Sequence, residues 1–186
     1  MAELNDYSGE FNPKAKYQDF SKEALADLLT EYARLGLALD LRWYAVIRER
    51  HSEQEAIECE RAVAVKKIPH RQQRIMEALH IQGNDIANCL KAIQMDIGAC
   101  PNICDVGWEL KNPNYGIYTI NHCAALGSYE RHGEVVTMDN ICHTCSSDLN
   151  RVAKFFNPQI TVKPLKLPPR KSEGEICCIW EFKIEE

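Results

Sequence analysis

The chain has 186 residues, a formal charge of −5 and nine cysteines. Its hydrophobic fraction of 45% and charged fraction of 26% are ordinary for a soluble globular protein, and they exclude a disordered or fibrous chain. The 22 Lys and Arg residues are outnumbered by 27 Asp and Glu residues, which argues against a nucleic-acid-binding protein, because such a protein needs a basic face.

The length favours one domain over residues 1–186. No apolar run approaches the roughly 18–20 residues that span a bilayer, and the first ten residues are acidic and polar, unlike a secretory signal. We therefore expect a cytoplasmic protein that binds neither membranes nor nucleic acid. In a reducing compartment the nine cysteines should be thiols or metal ligands and not disulfides.

Residues 1–18 show little periodicity and predict an extended lead-in. A first helix should begin after Ser21, whose hydroxyl can cap free backbone N–H groups, and should end near Arg50. Apolar residues recur along this helix at steps of three and four and predict one core-facing stripe. The stripe comprises Leu25, Leu28, Leu29, Tyr32, Leu35, Leu39, Trp43 and Val46. Gly36 in mid-helix is typical of close packing.

Asp40, Trp43 and Tyr44 are candidates for a ligand pocket. Trp43 and Tyr44 continue the apolar stripe, so packing in the core is the alternative role for both. Asp40 interrupts an apolar stretch, and a carboxylate there needs a partner.

Three further helices are predicted, which makes residues 19–97 a helical layer. Ser52 opens the second helix with a capping-box pattern, and Pro69 should break or restart it. A third helix follows, and Asp85 can cap a fourth.

Residues 98–186 predict a mixed, cysteine-rich part. Alternating apolar and polar residues predict strands at 106–111, 117–123, 160–167 and 176–184. One helix fits from about Ser146 to Phe156. The predicted fold is therefore α+β, with an N-terminal helical layer packed on a small antiparallel sheet.

The cysteines of the second half are candidate metal ligands. Cys142 and Cys145 form a C-x2-C, a spacing that lets two thiolates reach one zinc ion or one iron–sulfur cluster. A helix that begins just after this motif would also lower the thiol pKa values. His122 and Cys123 at a strand end, and His143 within the motif, are further potential ligands, each with a structural role as the alternative.

Strand alternation separates the two adjacent cysteines of the last strand. Cys178 shares the apolar face with Trp180, whereas Cys177 should point to the opposite face, so Cys178 is the candidate ligand. The predicted set is therefore Cys123, Cys142 and Cys178, with Cys145 or a histidine as the fourth ligand, for zinc or an iron–sulfur cluster.

The remaining cysteines favour packing. Cys59 and Cys89 lie in helical stretches and are expected to pack as small apolar residues. Cys100 and Cys104 form a looser C-x3-C, for which packing and ligation both stay open.

Several segments carry a family resemblance. They are residues 19–25, 38–40, 43–44, 156–158, 165–170 and 177–182. Together they resemble an uncharacterised prokaryotic family that is grouped with L-2-amino-thiazoline-4-carboxylic acid hydrolase-like proteins. A more distant similarity is to the small-molecule-binding domain named after 4-vinyl reductase. That resemblance implies a similar fold and a small ligand, with or without a metal, at Cys123, Cys142 and Cys178. Cys145 is an addition to that pattern, so three or four ligating cysteines are compatible with it.

Three functions are compatible with these observations. The first is a hydrolase of a small sulfur- or nitrogen-containing ring, using metal-bound water or a cysteine nucleophile. The second is a non-enzymatic ligand-binding or cluster-accessory module, and the third is a purely structural metal site. A small-molecule ligand is the expected partner, and a homodimer through a strand edge or a helix face is left open.

Overall fold

The computed structural model describes residues 3–99, 103–133, 135–172 and 174–184. The side chains of residues 128, 132, 135–141 and 143 are outside this description. Cys100 of the C-x3-C and the side chain of His143 therefore lie outside the described residues.

The predicted α+β class is confirmed. Within the described ranges, five α-helices, most of them N-terminal, accompany a four-stranded antiparallel sheet. The helices are α1 (Lys22–Arg50), α2 (Glu53–Leu79), α3 (Ile86–Gln94), α4 (Ala124–His132) and α5 (Val135–Phe156). The strands are β1 (Asp105–Asn112), β2 (Tyr115–His122), β3 (Ile160–Lys166) and β4 (Cys178–Ile184). Short 3-10 turns at Tyr17–Asp19 and Ile97–Ala99 precede α1 and β1.

Three helices begin directly after the capping residues from which their starts were predicted. The side chains of Ser21, Ser52 and Asp85 each accept a hydrogen bond from the backbone N–H three residues later, at 3.2, 3.1 and 2.8 Å. These bonds satisfy backbone donors that the first helical turn leaves without partners.

The predicted break at Pro69 is wrong, because α2 continues through it to Leu79. The helical layer thus has three helices before β1 and not four. Residues on both sides of Pro69 in the helix make contacts with distant parts of the chain. Ile68 is fully buried in the main core, and the Gln72 side chain donates a 2.6 Å hydrogen bond to Asp96. Tertiary packing here outweighs the helix-breaking tendency of proline.

The apolar stripe of α1 faces solvent, contrary to the prediction that it faces the core. The buried side of this helix carries Thr30, Ala33 and Tyr44. Between 36% and 67% of the residue surface is exposed at the outward-facing positions Leu28, Leu29, Tyr32, Leu35, Leu39, Trp43 and Val46. Gly36 does mark close packing, because a Cβ there would lie 3.3 Å from the Ile97 side chain.

The second half contains more helix than the sequence predicted. α4 was not predicted, although Gly133, at φ 67°, is a typical C-terminal stop for it. α5 begins at Val135 and not near Ser146, so Cys142 and Cys145 lie inside a helix.

The sheet has the order β1-β2-β4-β3, with all neighbours antiparallel. Its register places Trp108, Tyr118 and Trp180 in one row across three strands, and the Trp108 and Tyr118 rings stack at 4.1 Å. Cys178, Trp180 and Phe182 are buried, as alternation in the last strand predicted. The sheet packs through this face against α3 and α5 in the main core.

Two side-chain arrangements join the helices to the sheet. Gly116 of β2 packs against α3, where an added Cβ would lie 2.8 Å from Leu90 and 3.0 Å from Ile86. Asn150 of α5 binds both backbone groups of Val162 on the edge strand β3. Its amide donates to the Val162 carbonyl at 3.0 Å, and its carbonyl accepts from the Val162 N–H at 3.3 Å.

Among the described residues, no helix combines the length and the apolar character that crossing a membrane requires.

Candidate functional site

A cavity of about 190 Å³ lies where α4 and α5 meet the ends of β2 and β4. Its wall is mostly apolar, and the aromatic rings of Tyr118 and Trp180 form part of it. Five cysteines among the described residues line it, namely Cys123, Cys142, Cys145, Cys177 and Cys178. All four cysteines proposed as ligands are thus brought to one cavity.

Three parts of the chain bring these cysteines together. Cys123 is the N-cap of α4, directly after β2. Cys142 and Cys145 lie three residues apart on α5, so their side chains share one helix face. Cys178 is the first residue of β4.

Cys177, directly before the first residue of β4, also lines the cavity. Cys178 belongs to the main core, whereas Cys177 packs with Leu126 in a separate cluster. Its thiol is 1% exposed and donates a 3.3 Å hydrogen bond to the Asn121 carbonyl.

Cys145 faces the inside of the cavity. It is exposed, because the part of the cavity wall that it forms is open to solvent. Burial raises the pKa of this thiol well above its ordinary value, and the neighbouring Cys123, Cys142 and Cys178 raise it further.

Two more of the cavity thiols, Cys123 and Cys178, are also held in the neutral form. Burial raises the pKa of Cys123, and it raises the pKa of Cys178 to about 12. The predicted lowering of thiol pKa values by a helix start after Cys145 is wrong, because that residue lies well inside α5. Without a bound cation these thiols are protonated at neutral pH and are weak nucleophiles.

Two of the sulfurs accept hydrogen bonds from N–H groups. The indole Nε1 of Trp180 donates to Cys178 Sγ at 3.2 Å, and the backbone N–H of Leu126 donates to Cys123 Sγ at 3.4 Å. Such donors favour the thiolate over the thiol, so they oppose the effect of burial. The same arrangement stabilises sulfur ligands of metal centres.

One end of the cavity is polar. Arg71 and Asp96 form an ion pair with 2.7 Å between Arg71 Nε and Asp96 Oδ2. Asp148 of α5 also lines this end, and burial raises the pKa of its carboxyl group. The cavity therefore joins an apolar, thiol-lined body to a polar end with two carboxylates and one guanidinium.

The loop after β3 closes part of the cavity. Leu167 and Pro168 belong to its wall. Two residues later Arg170, whose side chain is 4% exposed, binds both carboxylate oxygens of Glu130 on α4, with a shortest distance of 2.6 Å. This ion pair fixes the loop to α4 beside the cavity.

Four other predicted site residues lie elsewhere. His122 is exposed and is not part of the cavity wall, and Trp43 is exposed on α1. Asp40 pairs with Lys67 at 2.6 Å. Tyr44 is buried and donates a 2.5 Å hydrogen bond to Glu53. The predicted ligand pocket at Asp40, Trp43 and Tyr44 therefore does not coincide with the cavity.

The thiol donors of the cavity are of the kind that binds soft metals. Their arrangement, however, does not form a site for a single ion. Within the part of the chain that is described, no three His, Cys, Asp or Glu side chains are grouped closely enough to hold one metal ion. A tetrahedral zinc site with Zn–S bonds of about 2.3 Å requires sulfurs within roughly 4 Å of one another. The four thiols that line the cavity are soft donors of the kind that zinc and iron–sulfur clusters both take.

Sequence reasoning missed the polar end of the cavity. Arg71, Asp96 and Asp148 come from three different segments, and no local motif joins them. The burial of Cys104 beside Cys123 was also left open, although its C-x3-C was noted.

Comparison with known proteins finds one family. A model described as a family of unknown function (DUF6125) matches residues 18–184. No curated protein and no solved structure matches the chain. The resemblance to L-2-amino-thiazoline-4-carboxylic acid hydrolase-like proteins and to the 4-vinyl reductase domain thus stays a prediction.

Proposed function

The chain belongs to DUF6125, a family of unknown function, and we propose that it is a metal-binding protein that holds an iron–sulfur cluster on four cysteines beside a small-molecule cavity. The ligands are Cys123, Cys142, Cys145 and Cys178. The observation that supports this most directly is that these four thiols line one cavity.

Protonated thiols crowded in an apolar cavity are an unusual way to fill a core. Burial and mutual repulsion penalise their charged forms when no cation is present. A bound metal centre removes that penalty, because its positive charge compensates the thiolates and it displaces their protons. The N–H groups that donate to Cys178 and Cys123 then act as ligand-stabilising donors.

The grouping of the ligand side chains favours the cluster over zinc. Among the described residues no three His, Cys, Asp or Glu side chains are grouped closely enough to hold one metal ion, so a mononuclear zinc site would require them to move together. A cluster bound here would supply one-electron redox chemistry. Trp180 and Leu126 would exclude water from it, since both are buried in the cavity wall.

A second candidate function is the binding of a small organic molecule without a metal. The polar end favours it. Burial raises the pKa of Asp148 more than the nearby Arg151, Lys67 and Arg71 lower it, so a bound cationic group would stabilise this carboxylate. The ligand class would be a small apolar molecule with one amino or amidine group. An apolar body with a few placed polar groups is the usual composition of such pockets.

A hydrolase function has less support than the cluster-binding or the ligand-binding function. A nucleophilic cysteine requires a lowered thiol pKa, whereas burial raises the pKa of Cys123, Cys145 and Cys178. Hydrolysis would therefore depend on metal-bound water. A cytoplasmic location accords with the cluster proposal, since a reducing compartment keeps the ligating thiols available.

Anaerobic purification of the full chain tests the proposal. Iron and sulfide should co-purify in stoichiometric amounts, and the protein should be brown with broad visible absorption. Cys178→Ala and Cys142→Ser should lose most of that absorption. Cys59→Ser, which lies on α2 outside the cavity wall, is the matched control and should retain it.

Three other outcomes would contradict the cluster. Stoichiometric zinc in a colourless protein would replace it with a zinc site. A metal-free protein that releases a small cationic molecule on denaturation, and loses it in Asp148→Ala, would support the second candidate. Absorption that survives both cavity substitutions would exclude these cysteines as ligands.

A further inference from the structure

The outward face of α1 is an apolar surface that the fold leaves without a partner within the described residues. Residues 28–46 of this face carry seven large apolar side chains, each at least 36% exposed. With 1.5 Å of rise per residue the surface is about 27 Å long. None of these residues lines the cavity, so the surface has no role in the proposed function.

The area of this stripe is close to that of a standard interface. Seven half-exposed side chains offer roughly 100 Å² each, which approaches the ~800 Å² that each partner buries in a standard interface. Contiguous apolar patches of this size on a soluble protein mark interaction sites. We propose that the stripe binds the same stripe of a second copy of this chain, with the two α1 helices antiparallel.

Charge complementarity favours a second copy in that orientation. Glu31 and Arg42 are eleven residues apart, which is close to three full helical turns, so they lie on the same flank of the stripe. Their midpoint nearly coincides with the midpoint of residues 28–46. In a two-fold antiparallel pair Glu31 of each copy therefore lies opposite Arg42 of the other. In a parallel two-fold pair this flank of each helix would face the opposite flank of the other, so Glu31 and Arg42 would not meet.

The apolar layers also match in the antiparallel pair. Leu35 and Leu39 lie on either side of the midpoint, so each would pack against the other residue in the second copy. Leu28 at one end would meet Val46 of the second copy at the other. The steps of three and four along the stripe are those that allow two helices to interdigitate.

The lead-in extends the surface at one end. The hydroxyl groups of Tyr17 and Tyr32 lie 3.3 Å apart, which ties the lead-in to the stripe. A groove of about 860 Å³ separates the lead-in from the first turns of α1 and reaches Leu28. The antiparallel pair brings the Val46 end of the second copy to this groove.

An amphipathic helix can also bind to a membrane surface in place of a protein. Membrane-binding helices are rich in Lys and Arg on the polar face. The flanks of this stripe instead carry mixed charges, with Asp27 and Glu31 beside Arg34 and Arg42, and the chain is acidic overall. The observations therefore favour a protein surface.

Sedimentation equilibrium of the full chain between 1 and 100 μM tests the proposal. The wild type should have twice the mass of one chain. The double variant Leu35→Glu/Leu39→Glu should weaken association at least 100-fold with an unchanged circular dichroism spectrum. Val63→Glu is the matched control, because Val63 is 52% exposed on α2 outside the stripe, and it should remain dimeric.

Mixing of charge variants tests the antiparallel register. Glu31→Arg alone and Arg42→Glu alone should each associate at least tenfold more weakly, since each homodimer places like charges together twice. An equimolar mixture of the two should restore association, because the heterodimer pairs unlike charges at both positions. A monomeric wild type, a dimer that survives Leu35→Glu/Leu39→Glu, or a mixture without recovery would overturn the proposal. Binding of a monomeric wild type to anionic vesicles would replace it with a membrane surface.

Discussion

Removal of the Cys178 thiol should weaken the dependence of stability on alkaline pH in the reduced, metal-free protein. Burial raises the pKa of this thiol in the folded state to about 12 from an ordinary value of 9.0. Between these values the folded thiol keeps a proton that the unfolded thiol has released. The stabilising contribution is therefore fully present below pH 9 and is lost as pH rises toward 12.

The magnitude follows from the two pKa values. Each pH unit between them costs about 1.4 kcal/mol of unfolding free energy for one such group. Between pH 8 and pH 10 the wild type should thus lose about 1.4 kcal/mol more than Cys178→Ala. Cys178 is 9% exposed, so solvent screening reduces this value little. Other buried thiols and tyrosines titrate in both proteins. Cys178 contributes to the raised pKa values of Cys145 and Tyr118, but burial is the largest cause in both, so the comparison removes most of their effect.

Urea unfolding at pH 8, 9 and 10, with a phosphine reductant and a chelator, measures this difference. Val152→Ala is a suitable control, because it removes volume from the same cavity wall without removing a titratable group. It should lower stability equally at all three pH values. Equal pH dependence in Cys178→Ala and the wild type would refute the assignment of a strongly raised pKa to this thiol.

Three further substitutions probe how the site is supported. Gly116→Ala should destabilise the protein by about 1–3 kcal/mol in urea unfolding, because its methyl group overlaps the α3 side chains. Asn150→Ala should cost about 2 kcal/mol in the same assay, because it leaves both backbone groups of Val162 without their side-chain partner. Glu130→Gln should cost about 1–2 kcal/mol at pH 7, since it removes the charge that binds Arg170. Arg170 lowers the pKa of Glu130, so that contribution is lost as pH falls through the lowered value. The urea midpoints of Glu130→Gln and the wild type should therefore converge as pH falls below the ordinary glutamate value of 4.5, and a difference independent of pH would contradict the role of charge.

Local signals in the sequence predicted the fold class and most element boundaries in the first half. Capping residues such as Ser21 and Asp85 act within one helical turn, so their effect can be read without the tertiary structure. Alternation in β4 likewise identified the buried face of Cys178 and Trp180. Four of the five cysteines that line the cavity were chosen from the same kind of local pattern, and Cys177 was not.

The errors arose where long-range packing decides the outcome. The continuation of α2 through Pro69 depends on contacts of Ile68 and Gln72 with distant parts of the chain. Periodicity identified the apolar stripe of α1 but cannot say whether such a stripe faces the core or a partner. The polar end of the cavity was missed because Arg71 and Asp148 are neighbours only in the folded chain.

The contact between Asn150 and β3 has a consequence for how the sheet can associate. An edge strand normally presents free N–H and C=O groups to which another chain can add a strand. Here the backbone N–H and C=O groups of Val162 are already hydrogen-bonded to the Asn150 side chain of α5. Pro164 on the same strand has no N–H group. A strand from another molecule would find few partners at this edge. Growth of the sheet by β-addition is thus chemically blocked on the β3 side and is directed, if it occurs, to β1.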